Sequence, residues 1–311
     1  MKVAVLGPAG FGGSHVSVEL IQRGHDVIGI SRHPEKLGKH DHYQPVVLDI
    51  TSASIVELID VFKPVDVVIN AFNPPYGPTV YMTETFVETM RRITIAVKHS
   101  NLEYFVTIGG TGSLDLGSAH PYQSAADSRT FWLAYRRATA DSEAATYHME
   151  ERIGLGSPMS SAMRDYRSAR QALLTEGCTD EDKATVKDTE TAVIEGPDPI
   201  PDIPLAARAS FMFFDGNTTF PWTFVSPPAK YIPGPRTGRY SVYFDSVPLG
   251  PEADRASDNE YDGRLLGISV ADLAVAIADE VEAKSKAGKH WSAVAELPGE
   301  QERWDSYAKL P

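Results

Sequence analysis

Short runs of β-branched and aromatic residues alternate with longer segments of helical periodicity over residues 1–117. The strand-like runs are almost continuously apolar, as expected for strands that helices cover on both faces. They occupy residues 2–7, 26–31, 44–49, 65–72 and 104–110. The helices predicted between them span residues 11–23, 52–62 and 79–99. This alternation predicts βαβ units and a parallel sheet.

The alternation breaks after Gly117. From about residue 124 to residue 200 the chain is rich in Ala, Glu, Arg, Asp and Thr and has few β-branched runs, which predicts helices. The α/β pattern then resumes with a helix over 205–215, a strand over 221–227, a helix over 269–284 and a last strand over 290–297. We therefore predict one α/β domain over residues 1–311, a Rossmann-type doubly wound parallel sheet with a helical insertion at 124–200.

The sequence GPAGFGG, residues 7–13, lies between the first predicted strand and the first predicted helix. Gly7 permits a tight turn, Gly10 lets the backbone approach a pyrophosphate, and Gly13 allows the helix to pack closely on the strand. The helix N-terminus then offers free N–H groups and a favourable dipole to phosphates. This position at the first β–α junction favours dinucleotide binding over an ordinary glycine turn. The predicted cofactor contacts in the loop are Gly7, Ala9, Gly10, Phe11, Gly12 and Gly13.

The end of the second predicted strand carries Ser31 and Arg32, where an NAD-specific protein would offer a carboxylate to the ribose hydroxyls. An arginine attracts a 2′-phosphate and can pair with it bidentately, although it could also be a solvated loop residue. We therefore predict NADP(H) as the cofactor. Further predicted cofactor contacts, at later strand ends and loops, are Asp49, Ile50, Asn70, Ala71, Phe72, Gly109 and Pro227.

These motifs resemble those of the short-chain dehydrogenase/reductase superfamily, and within it the atypical NAD(P)H-binding reductases related to flavin/biliverdin reductases and NmrA-like proteins. The resemblance is carried by GPAGFGG, SRHPEKL (31–37), IGGTGSL (108–114) and FPWTFVSPPAKYIPGPRTGRY (220–240). It implies that the nicotinamide lies beside the loops that follow the fifth strand and PWTFVSP. It also implies that residues 124–200 are an addition, because the relatives have a shorter connection there.

Catalysis in that superfamily usually rests on a Tyr-x-x-x-Lys pair, and no tyrosine in this chain has a lysine four residues later. The nearest imitations, Tyr135 with Thr139 and Tyr166 with Arg170, both lie in the helical insertion. The proton donor must therefore be sought among other hydroxyl groups.

Ser113 lies where the superfamily places its active-site serine, and Tyr122 lies on a loop expected to rim the same crevice. We predict both as catalytic, although serine and threonine in a glycine loop often only hold the turn. The predicted substrate contacts are Tyr76, Thr111 and Tyr231.

Charge and composition narrow the classes of partner. A net charge of −13 and a pI near 5.1 argue against nucleic acid, which needs a basic surface. The single cysteine, Cys178, excludes an intramolecular disulfide, and the pair His40 and His42 lacks the further ligands that a metal needs. No apolar run approaches the length of a membrane span or of a signal-peptide core. We expect a cytoplasmic protein that binds no metal, and its sequence is compatible with a homo-oligomer.

These observations predict an NADPH-dependent oxidoreductase that acts on a small aromatic or conjugated carbonyl-type molecule. Two alternatives stay open: a non-redox isomerase, cyclase or dehydratase on the same fold, and an NmrA-like regulator that senses the dinucleotide. The helical insertion could be an exposed excursion, a lid over the crevice or an oligomer contact.

Overall fold

A computed structural model describes most of the chain. The described residues are 1–74, 79–118, 120–175, 177–196, 202–251, 257–297, 299 and 303–311. The predicted substrate contact Tyr76 lies outside them.

The strands form one large sheet and one small sheet. They are β1 (Lys2–Leu6), β2 (Asp26–Ser31), β3 (Tyr43–Val47), β4 (Val67–Asn70), β5 (Tyr104–Ile108), β6 (Trp222–Val225), β7 (Lys230–Ile232), β8 (Ser241–Phe244), β9 (Gly267–Ser269) and β10 (Lys289–Val294). Within the described residues the large sheet has eight strands in the order β3-β2-β1-β4-β5-β6-β10-β8. Only β8 runs antiparallel to its neighbour, and β7 pairs separately with β9.

The helices flank and extend this sheet. They are α1 (Phe11–Gln22), α2 (Ile55–Phe62), α3 (Thr79–Lys98), α4 (Arg129–Asp141), α5 (Glu143–Ile153), α6 (Pro158–Ala172), α7 (Asp180–Glu195), α8 (Asp202–Phe211) and α9 (Val270–Ala283). The chain order β3-β2-β1 reverses at β1 and continues through β4, β5 and β6, which is the doubly wound topology predicted from the sequence. The switch point between β1 and β4 is where such sheets bind ligands.

Each face of the sheet has its own apolar core. One face packs Val5, Leu20, Ile277 and Trp291 between the sheet and helices α1 and α9. The other packs residues such as Ile93 and Phe105 between the sheet and helices α2, α3 and α8. Because both faces of the sheet are buried, the sequences of its strands are continuously apolar rather than alternating.

Helices α4 to α7 form a bundle that we call the helical segment, residues 129–195. Its own buried apolar cluster is small and contains Ala140, Tyr166, Ala169 and Val186. Many of its helix-to-helix contacts are ion pairs instead. The Arg170 Nη2 lies 2.8 Å from Asp141 Oδ2, and the Arg164 Nη1 lies 2.8 Å from Glu143 Oε1. A bundle with so little core of its own leaves apolar side chains free to face elsewhere.

Residues 303–311, which we call the C-terminal segment, pack against the first helix and the helical segment. The Ala308 N–H donates to Ser14 Oγ at 3.1 Å, and the Leu310 N–H donates to the Leu37 carbonyl at 2.7 Å. The Ser306 hydroxyl lies 3.2 Å from His148 Nδ1 on α5. The C-terminal segment therefore joins the start of α1 to the helical segment.

Helix α1 approaches β1 more closely than a side chain would allow. A Cβ placed on Gly13 would lie 2.0 Å from the carbonyl oxygen of Gly7, a distance that only backbone movement could relieve. Gly7 itself has φ +78°, a left-handed conformation that favours glycine. These two positions fix where α1 begins relative to the end of β1.

We expect Gly13→Ala to lower the free energy of unfolding by about 2 kcal/mol or more, because overpacking against immobile backbone costs about 1–3 kcal/mol. Urea denaturation measures this change. Gly177→Ala is the matched control, since a Cβ there meets nothing within 4 Å. Equal stability of the two variants would contradict the close approach.

Candidate functional site

The carboxyl ends of the parallel strands open into a cavity of about 720 Å³. The loops that follow β1 to β6 all contribute to its lining. The opposite wall is built by residues of α4, α5, α6, α7 and α8, and by Tyr307 of the C-terminal segment. We call this cavity the cleft. The sheet edge and the helical segment therefore enclose one shared space.

The glycine loop forms one end of the cleft. Gly10 precedes α1 with an extended backbone, and among the described residues no side chain caps the helix and no acidic residue lies in its first turn. Uncapped N–H groups with the positive end of the helix dipole suit an anion such as a pyrophosphate.

Aromatic rings support this loop from the outside. The ring of Phe11 lies 4.8 Å from that of Tyr231 on β7 and 4.1 Å from that of His148 on α5, measured between centroids. Burial, with a smaller contribution from Arg152, lowers the pKa of His148 to about 3, so this histidine is neutral near pH 7. The helical segment is thus packed directly on the loop through uncharged rings.

Arg32 and Lys36 line the cleft beyond the end of β2. Within the described part of the chain, no hydrogen bond or ion pair holds the Arg32 guanidinium. The nearby Asp49 carboxylate accepts hydrogen bonds from Thr51 N–H at 3.0 Å and from Thr51 Oγ1 at 2.7 Å. These bonds, with a smaller contribution from Arg32, lower the pKa of Asp49. Two cationic side chains are therefore available at this corner for a ligand phosphate.

The loop after β4 is shaped by a buried amide. Asn70 donates from Nδ2 to Thr107 Oγ1 at 3.0 Å, and its Oδ1 accepts from the Phe72 N–H at 3.2 Å. These bonds hold the backbone of Ala71 and Phe72 at the cleft. Asn70 itself lies behind the wall.

The loops after β5 and β6 are joined by hydroxyl groups. Thr111 donates from Oγ1 to the Pro227 carbonyl at 2.9 Å, and both residues line the cleft. Behind them Ser113 Oγ lies 2.6 Å from Ser226 Oγ, which in turn lies 2.8 Å from His290 Nε2. Burial lowers the pKa of His290 to about 3. This buried network fixes the two loops relative to each other.

The structure brings together many of the predicted contacts. Those that line the cleft are Gly7, Ala9, Gly10, Phe11, Gly12, Ser31, Arg32, Asp49, Ile50, Ala71, Phe72, Gly109, Pro227, Thr111 and Tyr231. Gly13 and Asn70 stand behind its surface and act through packing and hydrogen bonding.

The two residues predicted as catalytic lie apart from the cleft. Ser113 is 1% exposed, and its hydroxyl is engaged in the network with Ser226 and His290. Tyr122 is 95% exposed, with φ +69° on an outer turn. The sequence correctly placed Ser113 in the loop after β5. The direction of its side chain, however, depends on contacts with residues at β6 and β10, which are more than a hundred residues away in the chain.

Sequence reasoning missed the wall that the helical segment contributes. It carries apolar and aromatic side chains, a threonine and two arginines, and includes Trp132, Tyr135, Arg136, Thr139, Met149, Arg152, Ile153, Met163, Tyr166 and Val193. Helical periodicity alone shows which residues share a face but not what that face meets. The helical segment buries only a small apolar cluster between its own helices, so its remaining apolar side chains form this wall of the cleft.

Among the described residues, no group of three or more His, Cys, Asp or Glu side chains is placed to hold a metal ion. No described helix combines the length and the apolar character needed to cross a membrane.

The first part of the chain matches a known family. Residues 3–136 match the model of the NAD dependent epimerase/dehydratase family. This match agrees with the resemblance drawn from the motifs over that part of the chain, which is less than half of its length. No curated protein matches the chain at a significant level.

Solved structures share the fold over nearly the whole chain. A proposed epimerase of Bacteroides thetaiotaomicron is 22% identical, with a TM-score of 0.61 over 96% of this chain and 98% of that one. A proposed NADH-flavin reductase of Streptococcus pneumoniae is 18% identical, with a TM-score of 0.55 over 95% and 100%. An oxidoreductase of Lactococcus lactis is 12% identical, with a TM-score of 0.54 over 97% and 94%. At these identities the likeness shows the fold alone.

The buried His290 predicts a pH dependence of stability. Its native pKa of about 3 lies below the ordinary 6.5, so between these values the unfolded chain binds a proton that the native state does not. The free energy of unfolding should fall by up to about 1.4 kcal/mol per pH unit as the pH drops below about 6.

Urea unfolding of the wild type and His290→Gln between about pH 4.5 and 7 measures this contribution, because the variant lacks the titrating ring. We expect a shallower pH slope for the variant, whatever its stability at neutral pH. His99→Gln, at an exposed histidine, is the control and should keep the wild-type slope. An unchanged slope in His290→Gln would refute the assignment.

Proposed function

We propose that this protein is an NADP(H)-dependent oxidoreductase that transfers a hydride between the nicotinamide and a small aromatic or conjugated carbonyl-type molecule. The observation that carries this proposal is the continuity of the cleft. One cavity runs from the glycine loop past Arg32 to the apolar wall of the helical segment, so a dinucleotide and a second molecule fit side by side.

The residues at the dinucleotide end fit such a cofactor. The glycine loop lines the cleft, and no described side chain caps the N-terminus of α1 that follows it. Arg32 and Lys36 would hold a 2′-phosphate, and no carboxylate stands at the end of β2 to repel it. When bound, the reduced nicotinamide supplies a hydride to an electrophilic carbon.

The second half of the cleft suits the hydride acceptor. Trp132, Met149 and Met163 give it an apolar surface that excludes water, and flat conjugated molecules pack well against such side chains. Tyr135 on α4 is the proton donor that we favour, because it lines the cleft with its ring 5.0 Å from that of Trp132. Tyr135 would deliver a proton to the oxygen on which negative charge develops.

The cofactor preference is tested by Arg32→Ala. We expect NADPH affinity to fall about 10- to 100-fold while NADH affinity changes little, since only NADPH carries the 2′-phosphate. Fluorescence titration with both cofactors measures the ratio. Lys39→Ala, at an exposed residue near the same loop, is the control. Parallel losses for NADPH and NADH would argue for a structural role of Arg32.

Hydride transfer is tested by following NADPH oxidation with quinone, flavin and aromatic carbonyl acceptors. We expect turnover with at least one class, and a fall in kcat of about 10²- to 10⁴-fold in Tyr135→Phe with NADPH affinity unchanged. NADPH binding without oxidation by any acceptor would count against the proposal.

The family name and the relatives raise one competing activity, that of an epimerase or dehydratase. Such a reaction consumes no net cofactor, so product would form without stoichiometric NADPH oxidation. The apolar wall favours the oxidoreductase, because a polyhydroxylated substrate needs many polar partners. If product forms in strict stoichiometry with NADPH oxidation, the protein is an oxidoreductase. If product forms without NADPH oxidation, it is an epimerase or dehydratase.

A further inference from the structure

Four arginines of the helical segment pair with carboxylates of the described residues. Arg137 donates from Nε to Glu190 at 3.0 Å and also pairs with Asp262 at 2.6 Å. Arg164, Arg167 and Arg170 are likewise paired, with Glu143 or Asp141. These pairs hold the helices of the bundle together.

Arg136, beside Arg137 on α4, differs from these four. Its side chain lines the cleft and is accessible from it. Within the described residues no carboxylate or other acceptor reaches it, and its recorded contact is with the ring of Tyr166, whose centroid lies 5.8 Å from Cζ. Burial lowers the pKa of the guanidinium, although an arginine stays charged near neutral pH and this side chain remains exposed within the cleft.

Arg136 is exposed within the cleft and no described carboxylate pairs with it, so an anion that enters the cleft can bind it without displacing another partner. The net charge of −13 repels anions at long range, so electrostatic attraction by the whole protein would not bring an anion to the cleft. The anion must be recognised by contact. A guanidinium offers a planar fork of donors that matches a carboxylate.

Several apolar side chains share the wall that carries Arg136. Trp132 lies one helical turn before it on α4, and Ile153, Met163 and Val193 line the same wall from the neighbouring helices. A ligand that satisfies this region has an aromatic or conjugated body and one anionic group. A simple inorganic anion would leave the apolar wall uncovered.

We propose that the substrate of this protein is an aromatic or conjugated carboxylate, and that Arg136 binds its carboxylate group. This inference rests on the proposed function for the reaction that follows binding, but the binding step stands by itself. Arg136 becomes the residue that selects anionic over neutral acceptors.

The test compares 2-naphthoate with the neutral 2-naphthamide, which has nearly the same shape. Calorimetric titration of the NADP⁺-saturated protein and of the free protein should show at least about tenfold tighter binding of the carboxylate. Arg136→Gln should weaken 2-naphthoate at least tenfold and leave 2-naphthamide unchanged. Arg136→Lys should keep part of the preference, because it retains the charge but loses the fork.

Arg91→Gln on α3, an exposed arginine paired with Glu88, is the matched control and should bind both ligands as the wild type does. Thermal melting separates binding from folding, and Arg136→Gln should melt close to the wild type, since the side chain is exposed and pairs with no described carboxylate. Equal affinities of the two ligands in the wild type would overturn the proposal. So would no measurable binding of 2-naphthoate, or an equal loss of both ligands in Arg136→Gln.

The two proposals fail separately. A carboxylate preference that depends on Arg136, without NADPH oxidation by any acceptor, refutes the oxidoreductase and leaves the anion site. NADPH turnover with neutral carbonyl compounds that is indifferent to Arg136 and to a carboxylate group refutes the anion site alone.

Discussion

The close contact between the start of α1 and the end of β1 is the constraint on which the rest of the site depends. Gly13 rests on the Gly7 carbonyl with no room for a Cβ. That contact fixes the start of α1, and with it the position from which Phe11 packs on His148 and Tyr231. The helical segment is therefore positioned on residues 1–117, to which we assign nucleotide binding and which we call the nucleotide-binding half, by the same geometry that would hold a pyrophosphate.

Much of the nucleotide-binding half could be predicted from the sequence because its signals are local. Continuous apolar runs predict the bounds of β1, β2, β4 and β5 to within a few residues. The spacing of the glycines predicts the backbone geometry of the glycine loop. Strands β7 and β9 escaped prediction because they have only three residues, and β8 because it is an edge strand with largely exposed side chains. Such strands form because they pair with neighbouring strands, and their own sequences carry no pattern that would predict them.

The substrate side could not be predicted, for a different reason. Which arginines of the helical segment pair with carboxylates depends on how four helices pack, and Arg136 and Arg137 are neighbours with different partners. Ser113 shows the same limit. Its position in the loop after β5 was visible in the sequence, yet its hydroxyl turns toward Ser226 and His290, which no local pattern connects to it.

The contact between the C-terminal segment and α1 has a consequence for biogenesis. The Ala308 N–H and Ser14 Oγ are 294 residues apart in the chain. At a synthesis rate of about 5–20 residues per second, roughly 15–60 s separate the appearance of these two partners on the ribosome. The nascent nucleotide-binding half must spend that interval without its last covering residues. A dinucleotide bound during this time would protect an otherwise unfinished intermediate.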